Sequence, residues 1–172
     1  MPLSNDAPTL HHYRVHLLMI AAWLGPLERA LAHFDDGPQH KVSALARMPL
    51  IERDLADMAL PARHASEIAP VKAWEMIDAA YRWGVCYVIE GSQLGGAVLY
   101  KQLRDALAPH ALRYLSGDGV PPGPRWKHFI EAMRASVREP ADIKQACAGA
   151  VDAFDSLLSL LPQGVTETST GS

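Results

Sequence analysis

The sequence has few cysteines and no long apolar run. Its 172 residues include two cysteines, Cys86 and Cys147, which are too few and too far apart for a disulfide framework or a zinc site. The longest apolar run, Leu17 to Leu24, is far shorter than the roughly 20 residues that cross a bilayer. We therefore expect a reduced protein whose buried thiols pack in the core and which has no membrane partner.

Excess positive charge is also absent. The chain has 16 lysines and arginines against 19 aspartates and glutamates, so its formal net charge is −3. Nucleic-acid binding needs a concentrated basic face, which this balance does not favour. The segment from Met1 to Asp6 lacks the basic start and apolar stretch of a secretory signal. We expect a cytoplasmic protein that binds no nucleic acid.

The composition is that of a folded domain. Hydrophobic residues make up 49% of the chain and charged residues 20%, a balance typical of globular proteins. The length fits one domain with a substantial core. We expect residues 1–162 to form that domain. The polar residues 163–172 lack periodicity and are expected to form a loose tail.

The apolar residues follow a helical period, and no stretch alternates as a strand does, so we predict an all-α domain of five or six helices. Thr9 is the expected N-cap of the first helix. A second helix is predicted from about Lys41 to Met58, where Pro49 should bend or split it. The prolines near positions 61 and 70 mark an irregular link before the next helix.

Three further helices are predicted in the second half of the chain. A long one runs from about Ala73 to Leu107, and prolines Pro124 and Pro140 are placed to open the next two. The last helix should turn its periodic apolar residues inward: Ile143, Cys147, Val151, Phe154, Leu158 and Leu161.

Three glycines interrupt the middle of the long helix, in the segment Glu90-Gly-Ser-Gln-Leu-Gly-Gly-Ala-Val-Leu. Each glycine in a helix costs roughly 1 kcal/mol relative to alanine, and such broken rules cluster at functional sites. Gly91 and Gly95 are four residues apart and share a face. They allow a flat group or another helix to approach the backbone closely, and they allow the helix to kink.

This glycine segment resembles the distal-helix signature of bacterial heme oxygenases, the biliverdin-producing type often associated with bacteriophytochromes. Other segments resemble the family in the same order and spacing: Tyr13-Arg-Val-His-Leu-Leu through Leu27-Glu28, Arg113-Tyr-Leu, Arg125-Trp-Lys-His-Phe and Ala150-Val-Asp-Ala-Phe. The resemblance extends from about Thr9 to Leu161.

The resemblance implies a single-domain all-α fold in which heme lies between a proximal helix and a glycine-kinked distal helix. The backbone of Gly91, Gly95 and Gly96 would pass over the heme face. Heme is then both cofactor and substrate, and its oxidative cleavage gives biliverdin, carbon monoxide and ferrous iron. The electrons would come from a separate reductase or ferredoxin.

The resemblance also suggests roles for four polar side chains. Ser92 occupies the position of the mammalian aspartate that anchors a distal water, and Tyr87 is a candidate for the same network, although it is equally consistent with a core tyrosine. Arg125 and Lys127 are candidates to pair with the heme propionates. Solvated surface positions are the alternative for both.

The family's proximal histidine has no counterpart in the matched register, because the corresponding helix would precede Pro2. His12 and His16 share a helix face and have a possible ligand spacing, and His11 lies beside them, but we expect surface or rim histidines at all three positions. Three explanations stay open: a true start upstream, a degenerate relative that binds heme poorly or not at all, or a ligand supplied by another histidine, including one from a partner chain.

An absent proximal helix would expose apolar faces, so self-association is expected. The alternative to a heme oxygenase is a non-catalytic module of the same fold that binds a tetrapyrrole or a protein partner. A hemin titration distinguishes these two readings.

Overall fold

The protein is described by a computed structural model, which defines residues 8–58 and 74–161. These residues form helices and connecting segments without a β-strand, as predicted. The helices are α1 (Leu10–Leu31), α2 (Pro38–Lys41), α3 (Met48–Asp57), α4 (Ala79–Leu103), α5 (Arg113–Ser116), α6 (Pro122–Ser136) and α7 (Pro140–Leu158), with a 3-10 turn at Gly117–Gly119. The predicted link around positions 60–70 and the tail 163–172 lie outside the described residues.

Helix α1 begins where its capping residue predicts. The Thr9 hydroxyl accepts a hydrogen bond from the backbone N–H of His12, which satisfies one of the free amides of the first turn. The apolar stripe of α1, including Leu17 and Leu24, is fully buried. The indole N–H of Trp23 donates to the carbonyl of Ala153 at 2.9 Å, and this bond ties α1 to α7.

The predicted second helix is two short helices separated by residues 42–47. Helix α2 ends at Lys41, and α3 begins at Met48 with Pro49 in its first turn, where proline's missing amide costs little. The backbone N–H of Arg47 donates to the Glu28 carboxylate at 2.9 Å. A carboxylate from α1 therefore fixes the start of α3, an effect that a local sequence pattern does not reveal.

Helices α4 and α7 pack closely against each other, backbone to backbone. A Cβ added at Gly84 would lie 1.7 Å from the carbonyl oxygen of Ala146, and one added at Gly149 would lie 2.0 Å from that of Tyr81. The two helices run antiparallel here, because Tyr81 of α4 meets Gly149 of α7, while the later residue Gly84 meets the earlier residue Ala146. Glycine on both sides lets the two backbones meet directly.

The prediction of which residues of α7 face the core was wrong. The residues buried along α7 are Ala146, Gly149 and Ala153, because the close contact with α4 admits only small side chains. The larger apolar residues predicted to face inward are mostly on the surface: Ile143, Cys147, Val151, Phe154 and Leu158.

A buried carboxylate positions α5. Asp54 on α3 accepts hydrogen bonds from the Tyr13 hydroxyl at 2.7 Å and from the backbone N–H groups of Arg113 and Tyr114 at 3.0 and 2.9 Å. Burial and the adjacent carboxylate raise the pKa of Tyr13 well above its usual value. The network joins α1, α3 and α5.

None of the helices in the described part of the chain is long and apolar enough to cross a membrane.

Candidate functional site on helix α4

Helix α4 continues through the three glycines, which lie in three different environments. A Cβ at Gly95 would meet no atom within 4 Å, and one at Gly91 would lie 3.6 Å from the Trp126 ring. Gly96 faces Leu115 instead, at 3.8 Å. The structure thus places Gly91 and Gly95 together, as their spacing predicts, and gives Gly96 a packing contact with α5. The expected kink stays a prediction.

Gly91 and Gly95 lie on an open apolar face that also carries Tyr87 and Val98, at three- and four-residue steps. We call these four residues the glycine face. The side chains of Tyr87 and Val98 are 43% and 57% exposed, and the Tyr87 ring packs against Trp126 of α6 with centroids 5.3 Å apart. The face therefore offers bare backbone at Gly95, with the Tyr87 and Trp126 rings beside Gly91.

Ser92 and Tyr87 do not share a hydrogen-bond network. The Ser92 hydroxyl donates to the carbonyl of Ile89 at 2.6 Å and accepts from the Gln93 amide at 3.3 Å. Gln93 also donates to the Tyr114 hydroxyl at 3.3 Å. Five residues along a helix turn the side chain by about 140°, so Ser92 points away from Tyr87. Ser92 belongs to the α5 side of α4.

Arg125 is used within the protein. Its guanidinium donates two hydrogen bonds to the Glu90 carboxylate, at 2.8 and 2.7 Å, and a third to the carbonyl of Ser43 at 3.0 Å. This departs from the expectation of a propionate partner, because a bidentate carboxylate already occupies the fork. Lys127 is exposed and forms no ion pair with another described residue, so of the two candidates it is the one whose charge is not paired within the described chain.

Glu90 is the centre of a buried charge cluster, which we call the Glu90 cluster: Glu90, Arg47 and Arg125. The Arg47 guanidinium lies 2.9 Å from the Glu90 carboxylate, with both side chains more than nine-tenths buried. Burial acts to raise the pKa of Glu90, but the hydrogen bonds and charges of the two arginines outweigh it and hold that pKa below its usual value. Glu90 is therefore a fixed anion.

A cavity of about 470 Å³ adjoins the Glu90 cluster. It lies between the end of α1, α2, α4 and α6, and its walls include Phe34, Val42, Ile89 and Phe129. Cys86 also lines it, and burial raises the pKa of that thiol to about 12. A neutral buried thiol is a poor nucleophile and metal ligand. Cys86 and Gly95 are about 180° apart around α4, so the cavity and the glycine face are separate places.

The three α1 histidines have three different environments. His11 is exposed. The His12 ring nitrogen Nδ1 accepts from the backbone N–H of Thr9 at 3.3 Å, which makes His12 part of the helix cap. His16 is only 5% exposed and its Nδ1 is buried without a hydrogen-bond partner. The expectation of a surface or rim position was wrong for His16, since this side chain lies beside the buried stripe of α1. Within residues 8–58 and 74–161, no three His, Cys, Asp or Glu side chains are grouped to hold a metal ion.

His16 predicts a specific acid sensitivity. Burial lowers the pKa of His16 to about 4, against about 6.5 in an unfolded chain. The unfolded state therefore binds the proton first, and stability falls as the pH drops from about 6.5 toward 4. Between pH 7.5 and 4.5 this one group should cost about 2.5 kcal/mol. Urea unfolding at both pH values measures it.

The control for this prediction is the exposed histidine His33. The variant His16→Gln should lose less stability than the wild type over the same pH interval, while His33→Gln should follow the wild type. Equal acid sensitivity in all three proteins would contradict the assignment to His16.

The sequence did carry a signal for the Glu90 cluster that the sequence analysis missed. Glu90 is the one charged residue between Arg82 and Lys101. A lone carboxylate in such an apolar stretch needs a buried cation, because an unpaired buried charge is very costly. Which arginines would supply it could not be read from the sequence, since Arg47 and Arg125 are far away along the chain.

Two comparisons with known proteins bear on this site. A family model described as "Heme oxygenase" matches residues 3–162. A protein of Xanthomonas campestris pv. campestris (strain 8004), named "Heme oxygenase", is 38% identical over 112 residues. That alignment covers 63% of this chain and 62% of the relative's length. The glycine segment and the helical fold are thus found in a chain that is similar to this family over nearly its whole length.

Proposed function

Because the chain belongs to the heme oxygenase family, we propose that it binds heme on the glycine face and takes part in the oxidative cleavage of heme to biliverdin, carbon monoxide and ferrous iron. The observation that carries the proposal is the bare backbone at Gly95, where an added Cβ would meet nothing within 4 Å. The alignment covers 62% of the length of the Xanthomonas relative. The activity is therefore proposed for this chain and is not carried over from that relative.

The residues of the glycine face suit a planar apolar macrocycle. Val98 and Tyr87 present apolar surface on either side of the glycine backbone, and Trp126 extends it along α6. The exposed ammonium of Lys127 follows Trp126 in the sequence and is the candidate partner for a propionate. Bulky side chains at Gly91 or Gly95 would prevent close approach of the ring to the backbone.

Bound heme would supply the iron that activates dioxygen and the porphyrin that is oxidised, with electrons from a reductase or ferredoxin. The protein's own part is to leave a confined space over the ring and to hold a proton donor nearby. The Ser92 hydroxyl already donates to Ile89 and accepts one hydrogen bond from Gln93. One lone pair of its oxygen stays available, and we propose that Ser92 uses it to orient a water rather than donating directly. The resemblance of the glycine segment that begins at Glu90 supports the proposal of a bacteriophytochrome-associated type of enzyme.

The axial ligand to the iron is a separate part of the proposal. Of the three α1 histidines, His16 keeps a ring nitrogen without a hydrogen-bond partner, but that nitrogen is buried beside the α1 stripe and is not on the glycine face. We therefore propose His11, His12 and His16 as candidates of equal standing. Self-association through the exposed proximal side is a separate proposal, which does not depend on the axial ligand.

Hemin titration of the wild type and a Gly95→Leu variant tests the site. A leucine at Gly95 fills the space over the backbone, so the dissociation constant should rise by about tenfold or more. The Soret band measures binding, and a biliverdin spectrum after addition of a reductant in air measures turnover. The matched control is Gly123→Leu on α6, where an added Cβ also meets nothing within 4 Å.

The possible outcomes separate binding from catalysis. Equal hemin affinity in Gly95→Leu and Gly123→Leu would overturn the glycine face as the site. Tight binding without biliverdin would leave a heme-binding protein that is not an oxygenase. A changed Soret maximum in one of His11→Ala, His12→Ala and His16→Ala, with the other two unchanged, is the result expected for the axial ligand. Circular dichroism checks that His16→Ala still folds, because that side chain is buried.

A further inference from the structure

The outward face of α7 carries an apolar stripe that nothing in the described chain covers. It consists of Ile143, Cys147, Val151, Phe154 and Leu158, and we call it the α7 stripe. Its four large apolar side chains are between 45% and 56% exposed. At 1.5 Å per residue the stripe is about 22 Å long. A continuous apolar strip of this length marks an interaction surface.

The spacing of the α7 stripe indicates what kind of partner fits it. Its residues follow steps of four, four, three and four, the pattern of a seam between two packed helices. The stripe is also symmetric about a point between Ala150 and Val151. Reversing α7 about that point brings Ile143 onto Leu158 and Cys147 onto Phe154. A second α7 in the antiparallel direction is therefore complementary to the first.

The charges beside the stripe fit the same arrangement. Lys144 and Asp155 are eleven residues apart, so they lie on the same flank of α7. Both are exposed, and neither forms an ion pair with another described residue. In an antiparallel pair, the same flank of each helix faces its counterpart on the other helix. Lys144 of one copy then lies two residues from Asp155 of the other, which is about 3 Å along the helix axis. The two-fold axis forms this contact twice.

We propose that two copies of this chain form a dimer through antiparallel α7 stripes. The close contact with α4 supports this role, because Gly84 and Gly149 hold α7 by its small-residue face and leave the larger side chains outward. The interface is isologous, so it closes as a dimer rather than growing into a filament. This proposal does not depend on the bound ligand or the reaction.

Sedimentation equilibrium of the wild type and a Val151→Lys variant tests the dimer. Val151 lies next to the two-fold axis, so the variant brings two lysines together and should be a monomer at up to about 200 µM. The control, Gln145→Lys, places the same charge on an exposed part of α7 away from the stripe and should stay dimeric. A monomeric wild type, or a dimer unchanged by Val151→Lys, would overturn the proposal.

Charge exchange tests the orientation. Lys144→Glu and Asp155→Lys should each raise the dimer dissociation constant by about tenfold, because two attractive contacts become repulsive. The double variant exchanges the charges and should return to within about threefold of the wild type. Both positions are exposed, and circular dichroism confirms that the variants fold. A double variant as weak as the sum of its singles would contradict the antiparallel arrangement.

Discussion

Replacing Gly84 with alanine is expected to lower the free energy of unfolding by more than about 4 kcal/mol, enough to leave the chain largely unfolded. The new Cβ would lie 1.7 Å from the carbonyl oxygen of Ala146 and 2.7 Å from the backbone nitrogen of Ala150. Both atoms belong to the backbone of α7, so no side chain can turn aside to make room. The two helices would have to separate and lose their common core. Circular dichroism and urea unfolding measure the effect.

The matched control lies on the same helix. Gly95→Ala should raise the free energy of unfolding by about 0.5–1 kcal/mol, because alanine is the better helix former and its Cβ meets nothing within 4 Å. Gly149→Ala, whose Cβ would lie 2.0 Å from the Tyr81 carbonyl oxygen, should behave like Gly84→Ala. Similar losses at Gly84 and Gly95 would show that the close contact of α4 and α7 is not what Gly84 provides.

These glycines also show what the sequence could and could not reveal. The helical class, the Thr9 cap and the start of α7 at Pro140 follow from local rules and are confirmed. The cluster at positions 91–96 attracted attention because three glycines stand close together. Gly84 and Gly149 are single glycines in helical surroundings, and their role depends on two helices that meet only in the folded chain.

The error on α7 has a related cause. Periodicity identifies the apolar face of a helix, but it does not say which element covers that face. The prediction assigned the face with Val151 and Phe154 to the core. In the fold, the α4 contact requires small residues, so Ala146 and Ala153 face inward. Among the described residues nothing covers the apolar face, and this observation is the basis of the proposed dimer.

Local sequence patterns also could not predict how the charged residue Arg125 would be paired. The sequence makes Arg125 a candidate partner for a heme propionate, with a solvated surface position as the alternative. The structure gives it the Glu90 carboxylate instead. Since Glu90 and Arg125 are 35 residues apart, the pair forms only when α6 packs on α4. Long-range pairing of this kind decides which charges stay available, and here it leaves Lys127.

The negative charge of Glu90 should contribute several kcal/mol to the free energy of unfolding. Glu90→Gln keeps the shape of the side chain and removes its charge, which leaves Arg47 and Arg125 without their common counter-ion. Arg47 is 4% exposed, so water replaces the lost carboxylate poorly even though a cavity adjoins the cluster. Breaking a buried pair from one side costs about 3–5 kcal/mol, and we expect a loss of about 3 kcal/mol in urea unfolding at pH 7. The matched control is Glu131→Gln on the exposed face of α6, which should change stability by less than about 0.5 kcal/mol.

A second variant separates the charge from the packing. Arg47→Met combined with Glu90→Leu removes both members of the most buried ion pair and fills the space with apolar atoms. Such replacements are often near neutral, and Arg125 can turn toward water because its side chain is 17% exposed. The double variant should therefore be more stable than Glu90→Gln alone, although it lacks more polar contacts. If Glu90→Gln cost no more than Glu131→Gln, the carboxylate would not be the counter-ion that the two arginines require. If the double variant were the less stable of the two, the hydrogen bonds of the cluster would outweigh the burial of unpaired charge.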